Sequence, residues 1–273
     1  MITKIEVRSA LGQLLTLELD TTDDGLIVQD IDGLDPVKAT LVSSSFAQLD
    51  GGLYQSSRRE LRNIVMTIGL EPDYSTTSVR DLRNQLYVFF MPKSAVNLRF
   101  FMEDDLVASI DGRVETFDTI LFTKEPKVVI SLICFDPDFV DLTPVQVLGD
   151  TVETTDEITV QYDGTVPTGI LFSLIVDRTL EEFTIYHRAG DDVVNTLDFA
   201  ANLEADDILV INTVTGSKAV SLTRSSVVSS LLYGMSPQSI WIELQPGVNY
   251  IRVFAVGAAI PFSIDYTTRY GGL

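Results

Sequence analysis

Apolar and polar positions alternate along most of this chain, the period of half-buried β-strands. Ile5 and Val7, then Leu15, Leu17 and Leu19, alternate with polar neighbours ahead of a turn-forming Thr-Thr-Asp-Asp-Gly at 21–25. Residues 42–57, rich in Ser and Gly, read as a long loop, and Leu61, Ile64, Met66, Ile68 and Leu70 as the next strand. Val96, Leu98 and Phe100 run into Glu103-Asp104-Asp105 and Val107–Ile110 returns, which predicts a hairpin, with a second one turning at Asp111-Gly112. One segment keeps a different period. Val79, Leu82, Leu86 and the pair Phe89, Phe90 line one face of a helix over Val79–Met91. Ser78 with Asp81 three residues on is a capping box, and Pro92 is a stop.

Asp136 to Asp150 carries two prolines, a glycine and several acids, and reads as a junction. It divides the chain into domains 1–138 and 139–273. Beyond it, strands are predicted at Gly169–Val176, Phe183–Tyr186, Ile208–Ile211, Ala219–Leu222, Ile240–Leu244, Ile251–Val256 and Phe262–Tyr266. Short strands at such intervals form a β-sandwich. The fold class expected is mainly β, with one packed helix and a hairpin in the first domain and a sandwich in the second.

Composition narrows the class. At 45% hydrophobic residues the chain can fill two cores, which excludes general disorder. Its longest apolar stretches, Val128–Phe135 and Gly169–Val176, fall well short of the ~20 residues that span a bilayer. The opening Met-Ile-Thr-Lys-Ile-Glu-Val-Arg lacks the apolar block of a signal peptide, so the expected site of synthesis and assembly is the cytoplasm. Charge is the unusual property, with 19 basic against 39 acidic residues. Residues 1–136 hold 13 and 21 of these, residues 137–273 hold 6 and 18, so both halves are acidic. Clustered Lys and Arg are what neutralise phosphates, so stable nucleic-acid binding is not expected, nor is attraction to anionic membranes.

Residues able to do chemistry are few. His187 is the sole histidine and sits at a strand end, where an exposed or satisfied polar side chain is expected. Cys134 lies in an apolar run and reads as a small core residue. One His and one Cys exclude zinc sites built from those ligands. The acidic pairs Asp23-Asp24, Asp104-Asp105, Asp191-Asp192 and Asp206-Asp207 fall where turns are wanted, and no pair is singled out for glycoside hydrolysis. No phosphate-binding glycine loop occurs, so catalytic residue, metal and cofactor are all expected to be none. Trp241, the lone tryptophan, reads as core packing or as a platform for a ligand. Arg58, Arg59 and Arg62 form the densest basic cluster in an acidic chain, suited to carboxylates across an interface or to a solvated edge.

Several strings, in order, resemble the distal tail proteins of bacteriophages. They are Gly52-Leu-Tyr54-Gln-Ser-Ser-Arg58-Arg59-Glu-Leu-Arg62-Asn-Ile64, then Arg80-Asp-Leu82-Arg-Asn-Gln-Leu86-Tyr87, then Asp111-Gly112-Arg-Val-Glu. Ser131-Leu-Ile133-Cys134-Phe-Asp136-Pro137-Asp-Phe139 follows, with Trp241-Ile-Glu-Leu244-Gln-Pro246-Gly247-Val-Asn249 and Tyr266 through Leu273 at the close. The resemblance implies an N-terminal ring-forming domain, usually hexameric, and a C-terminal galectin-like sandwich. It implies a structural role in the virion, joining the tail tube to the baseplate hub, with receptor-binding proteins as further partners and DNA passing through the ring. Tyr54, Arg58, Arg59 and Arg62 fall on the implied subunit interface. Galectins' sugar-binding cluster is not recognisable here, so glycan binding does not follow from the fold. A carbohydrate-binding adhesion protein acting through the second domain, with Trp241 as platform, is the alternative.

Overall fold

The computed structural model describes residues 2–19, 25–45, 50–103, 105–190 and 194–273. It divides into two compact units, one formed by Met1–Leu142 with Tyr270–Leu273 and the other by Thr143–Arg269. The division thus falls four residues beyond the expected 138/139, and the closing segment returns to the first unit. The reason is local. Phe139–Val140 is a strand that pairs with the first unit's sheet, and Phe139 is fully buried there.

In chain order the first unit contains β1 (Lys4–Ser9), β2 (Leu14–Glu18), β3 (Leu26–Asp32), β4 (Ala39–Ser44), β5 (Leu53–Arg59) and β6 (Arg62–Leu70). The helix α1 (Val79–Phe90), β7 (Ala95–Met102), β8 (Asp105–Ile120), β9 (Lys127–Cys134) and β10 (Phe139–Val140) follow. The main sheet runs β2-β1-β7-β8-β9-β6-β3. Alternation decides its faces: Ile5, Val7, Ile64, Met66, Ile68, Leu98, Phe100, Ile130 and Leu132 all point into one core. Onto that core α1 lays Leu82, Leu86, Phe89 and Phe90, the face its period announced. Each such side chain contributes roughly 1.5–3 kcal/mol by leaving water. Ser78 Oγ accepts from the Asp81 backbone N–H, and Asp81 answers to the Ser78 N–H at 3.1 Å, so the capping box is formed.

Two expectations are corrected. β8 runs straight through Asp111-Gly112 without a turn, and the chain reverses instead at residues 121–126. Gly112 is wanted there for space, because a Cβ would lie 3.3 Å from Cys134 Sγ. Residues 42–57 are no loop throughout: β4 and β5 pair antiparallel from Ala39↔Arg59 to Ser44↔Leu53, with a bulge at Val42/Ser43. The turn expected at 21–25 lies largely outside the described residues.

The second unit contains β11 (Val145–Asp150), β12 (Ile158–Tyr162), β13 (Thr168–Gly169), β14 (Leu171–Ile175), β15 (Leu180–Ala189) and β16 (Asn195–Leu203). Then come β17 (Ile208–Asn212), β18 (Ala219–Arg224), β19 (Val227–Ser230), β20 (Glu243–Leu244), β21 (Gly247–Phe254) and β22 (Pro261–Tyr266), while the closing strand β23 (Arg269–Tyr270) pairs with β10 in the first unit's sheet. One sheet runs β11-β22-β14-β17-β18-β19 and a second β12-β21-β15-β16. Their inner faces share one core, bridged by ring contacts from Phe262 to Phe172 at 5.3 Å, Phe172 to Phe183 at 6.5 Å and Phe183 to Phe199 at 5.2 Å. This is the expected sandwich. The predicted strand Ile240–Leu244 shrinks to Glu243–Leu244, because Ile240 already spends its N–H on the edge of β16 at Thr196.

In each unit a large buried polar side chain constrains the backbone around it. In the first, Arg62 is 1% exposed. Its Nε donates to Pro137 O at 2.6 Å, Nη1 to Gly33 O and Asp35 O, and Nη2 to Gly271 O at 2.6 Å. Its Cζ lies 4.3 Å from the centre of the Phe139 ring. Burial lowers its pKa, an effect the nearby Cys134 and Asp138 oppose. Gly33 fits because its φ is +92° and a Cβ would strike Asn63 O at 2.0 Å. In the second unit, buried His187 pairs Nε2 with Asn249 Oδ1 at 3.0 Å, while its buried Nδ1 has no hydrogen-bond partner.

Two outcomes are expected. Arg62→Met keeps the stem but strands four carbonyls, and urea denaturation should show the first unit destabilised by about 3–5 kcal/mol. A loss below about 1 kcal/mol would show that the guanidinium network carries little. For His187, burial holds the folded-state pKa below the ordinary value. The neutral ring is therefore favoured by folding, and that contribution is complete above the unfolded pKa of ~6.5 and is lost as pH falls below it. The melting temperature of the second unit should drop between pH 7.5 and 5.5, and His187→Gln should flatten that slope. An unchanged slope in the variant would assign the loss to other groups.

Candidate interaction surface

The β4–β5 hairpin is where the first unit departs from a closed globule. Successive side chains of a strand point to opposite faces, so one face of a hairpin normally lies against a core. Here every residue of β5 is exposed, and of β4 only Ser44 is even partly covered. Leu41 is 68% exposed, Leu53 57% and Tyr54 60%, values that leave both faces without apolar cover. A two-stranded ribbon with no core beneath it is marginal in water. Local polar contacts supply part of its order: Tyr54 Oη lies 2.8 Å from Ser57 Oγ, and Thr40 hydrogen-bonds to Glu60.

The four residues expected at an interface separate by position. Tyr54 and Arg58 stand on the exposed ribbon, and Arg58, 78% exposed, lies 3.7 Å from Glu60. Arg59 sits at the ribbon's base and forms a bidentate pair with Asp138, whose side chain is 3% exposed. Arg62 lies inside the unit, and with four backbone carbonyls on its donors it cannot serve a neighbouring surface. Three arginines within five positions thus act on the ribbon's exposed surface, at its base and in the interior. Strand alternation could have separated Arg58 from Arg59, but not the burial of Arg62, whose partners lie at 33, 35, 137 and 271. The apolar exposures at Leu41 and Leu53 were legible only once β4 and β5 were known to pair.

Trp241 is half-buried against the second unit's core, with Lys218 Nζ 5.9 Å from its ring centre and bonded at 3.3 Å to Glu243. Its position is irregular backbone rather than strand, and one surface of the indole belongs to the core. Cys134 is buried, and desolvation pushes its thiol pKa up to about 11, which keeps it a protonated core residue at neutral pH. Of the two expectations for His187, exposed or satisfied, the structure meets the second at Nε2, which pairs with Asn249 in the interior. Asp206 turns the chain at φ +69°, and Asp207 takes the Glu204 N–H at 2.7 Å and an Arg224 ion pair, so this acidic pair serves a turn. Asp23, Asp24, Asp104, Asp191 and Asp192 lie outside the described residues. Among the described residues no cluster of His, Cys, Asp or Glu is arranged to hold a metal ion.

Comparison with known proteins points the same way. Residues 163–270 match the family described as siphovirus-type tail component, C-terminal domain. No curated protein matches. Among solved structures, the chain is similar to the SPP1 Dit (gp 19.1) protein, described as a paradigm of hub adsorption apparatus in phages infecting Gram-positive bacteria. The TM-score is 0.70 at 19% identity, covering 97% of this chain and 98% of that one. A chain of the phage P2 baseplate in its activated conformation aligns at TM-score 0.43 and 11% identity over 97% of this chain and 98% of its own. The resemblance to phage distal tail proteins is therefore borne out, by the family model over residues 163–270 and by the fold along the whole chain.

Proposed function

We propose that the chain is a structural, non-catalytic part of a phage tail that assembles with copies of itself into a ring between tail tube and baseplate hub. The observation that carries this reading is the β4–β5 ribbon, whose two uncovered faces gain cover if they lie on the next subunit. Leu41, Leu53 and Tyr54 supply apolar area, and Arg58 supplies a cation that an acidic neighbour can neutralise. Six copies are what the resemblance implies. By the same implication, receptor-binding proteins are further partners. Partners are then the tail tube protein, the hub protein and the chain itself, assembled in the host cytoplasm and carried in the virion.

Light scattering and negative-stain imaging of the full chain test the ring. A ring with a central hole is expected, and a monomer at every concentration up to that of assembly overturns the proposal. Leu53→Asp with Tyr54→Asp should leave the melting temperature nearly unchanged, because both side chains are exposed, yet weaken assembly by at least the ~2 kcal/mol typical of an interface anchor. Assembly unaffected by that pair would move the interface elsewhere.

Charge yields a second expectation. Leaving DNA must not adhere to the wall, and each Lys or Arg bonded to a phosphate would retard it. Acids should therefore outnumber basic residues among the side chains lining the hole, repelling the duplex within about 8 Å at physiological salt. Counting charges along the channel of an assembled ring decides this, and a neutral or basic wall refutes it.

A further inference from the structure

The outer face of the four-stranded sheet carries a pattern of a kind not seen elsewhere among the described residues. β15 presents Tyr186 and Arg188 there, and β21 presents Tyr250 and Arg252, while His187 and Ile251 between them point into the core. Register sets Tyr186 opposite Arg252 and Arg188 opposite Tyr250. Each guanidinium stacks on the ring facing it, with Cζ 3.9 Å from the centroid in both pairs. The result is a half-buried checkerboard of two cations and two phenols on a flat sheet.

The two cations are not equivalent. Arg188 is neutralised by Glu157, through Nε at 3.1 Å and Nη2 at 2.7 Å, a contact that lowers the carboxyl's pKa. Arg252 gives a single hydrogen bond, from Nη1 to Thr154 O at 3.1 Å, and makes no direct ion pair among the described residues, acting on the Glu157 carboxyl only through its longer-range field. That is unusual in a unit holding 6 basic and 16 acidic residues. Arg178, Arg188, Lys218 and Arg224 each lie against a carboxylate. Stacking on Tyr186 fixes the plane of Arg252, and the Nε/Nη2 edge keeps its donors. A guanidinium held this way is preorganised for a planar anion with two oxygens, a carboxylate.

We propose that this face docks a protein partner that sets an Asp or Glu carboxylate against Arg252, flanked by Tyr186 and Tyr250. The inference rests on the reading of the chain as a tail component, which makes the partner another protein of the same particle. A protein is favoured over a sugar because one face of each phenol is already covered by a guanidinium. Sugar stacking wants that face open, whereas Tyr and Arg together on a flat, partly desolvated surface are the chemistry of protein–protein anchors. The acid surplus of the unit repels other anions at long range and leaves Arg252 as the point where one is accepted.

The test uses virus particles that carry the chain with Arg252→Gln, Arg252→Lys or, as control, Lys218→Gln, which removes the cation over Trp241. Quantitative mass spectrometry of purified particles gives the amount of every protein per copy of this chain, and melting of each purified variant checks its folding. The expected result is at least a tenfold loss of one other protein in both Arg252 variants and none in Lys218→Gln. Loss in Gln but not in Lys would replace fork recognition by simple charge attraction and overturn the proposal as stated. Particles with every protein at its normal ratio overturn it too, and if these also adsorb poorly to host cells, the face contacts the cell surface instead. A chain absent from unsubstituted particles means that the tail-component reading itself has failed.

Discussion

The guanidinium of Arg62 ties together segments of the first unit that are far apart in sequence. It spans the loop after β3, the segment before β10 and the closing residues near Gly271. A buried charge is tolerable only when its donors are occupied, and here backbone carbonyls rather than a carboxylate occupy them. That choice has a geometric effect. A carbonyl belongs to the main chain, so each bond positions backbone directly, whereas a carboxylate would position only another side chain. Phe139 stacks beneath the same group, and Asp138 beside it holds Arg59 at the base of the exposed ribbon. Interior and projecting ribbon are thus joined through two neighbouring residues.

Much of the architecture was legible because its cause is local. The helix follows from apolar spacing and from Ser78 and Asp81, and the core strands follow from alternation at Ile64–Leu70 or Phe262–Tyr266. Errors arose where a distant partner decides the outcome. Asp111-Gly112 has the composition of a turn, yet two flanking strands keep β8 extended and use Gly112 for clearance at Cys134. The ribbon was invisible because its apolar residues come as the adjacent pairs Leu41-Val42 and Leu53-Tyr54 rather than alternating, so no burial period marks it. For the candidate site, Tyr54 and Arg58 stand exposed, as an interface would need, whereas Arg62 was misplaced because nothing in Arg-x-x-x-Arg tells a surface charge from a buried clamp. The Arg–Tyr checkerboard escaped notice for a related reason: its two halves are more than sixty residues apart and meet only through register.

The two units handle an acid surplus differently. The second commits four of its cations to acids and leaves Arg252 stacked on a phenol. The first buries one cation among carbonyls and exposes another, Arg58, on a ribbon. In an acidic chain an uncommitted cation is the scarcer resource, so its location says more about contacts than the location of any carboxylate does.

Because residues 143–269 lie between two parts of the first unit, that unit is discontinuous in sequence. Arg62 and its acceptor at Gly271 are 209 positions apart. At synthesis rates of ~5–20 residues per second, the guanidinium waits roughly 10–40 s on the ribosome before its last carbonyl arrives. During that interval the second unit can fold while the first remains unclasped. Closure of the first unit is thereby delayed until the whole of the second has been synthesised, so the order of synthesis sets the order in which the two can be completed.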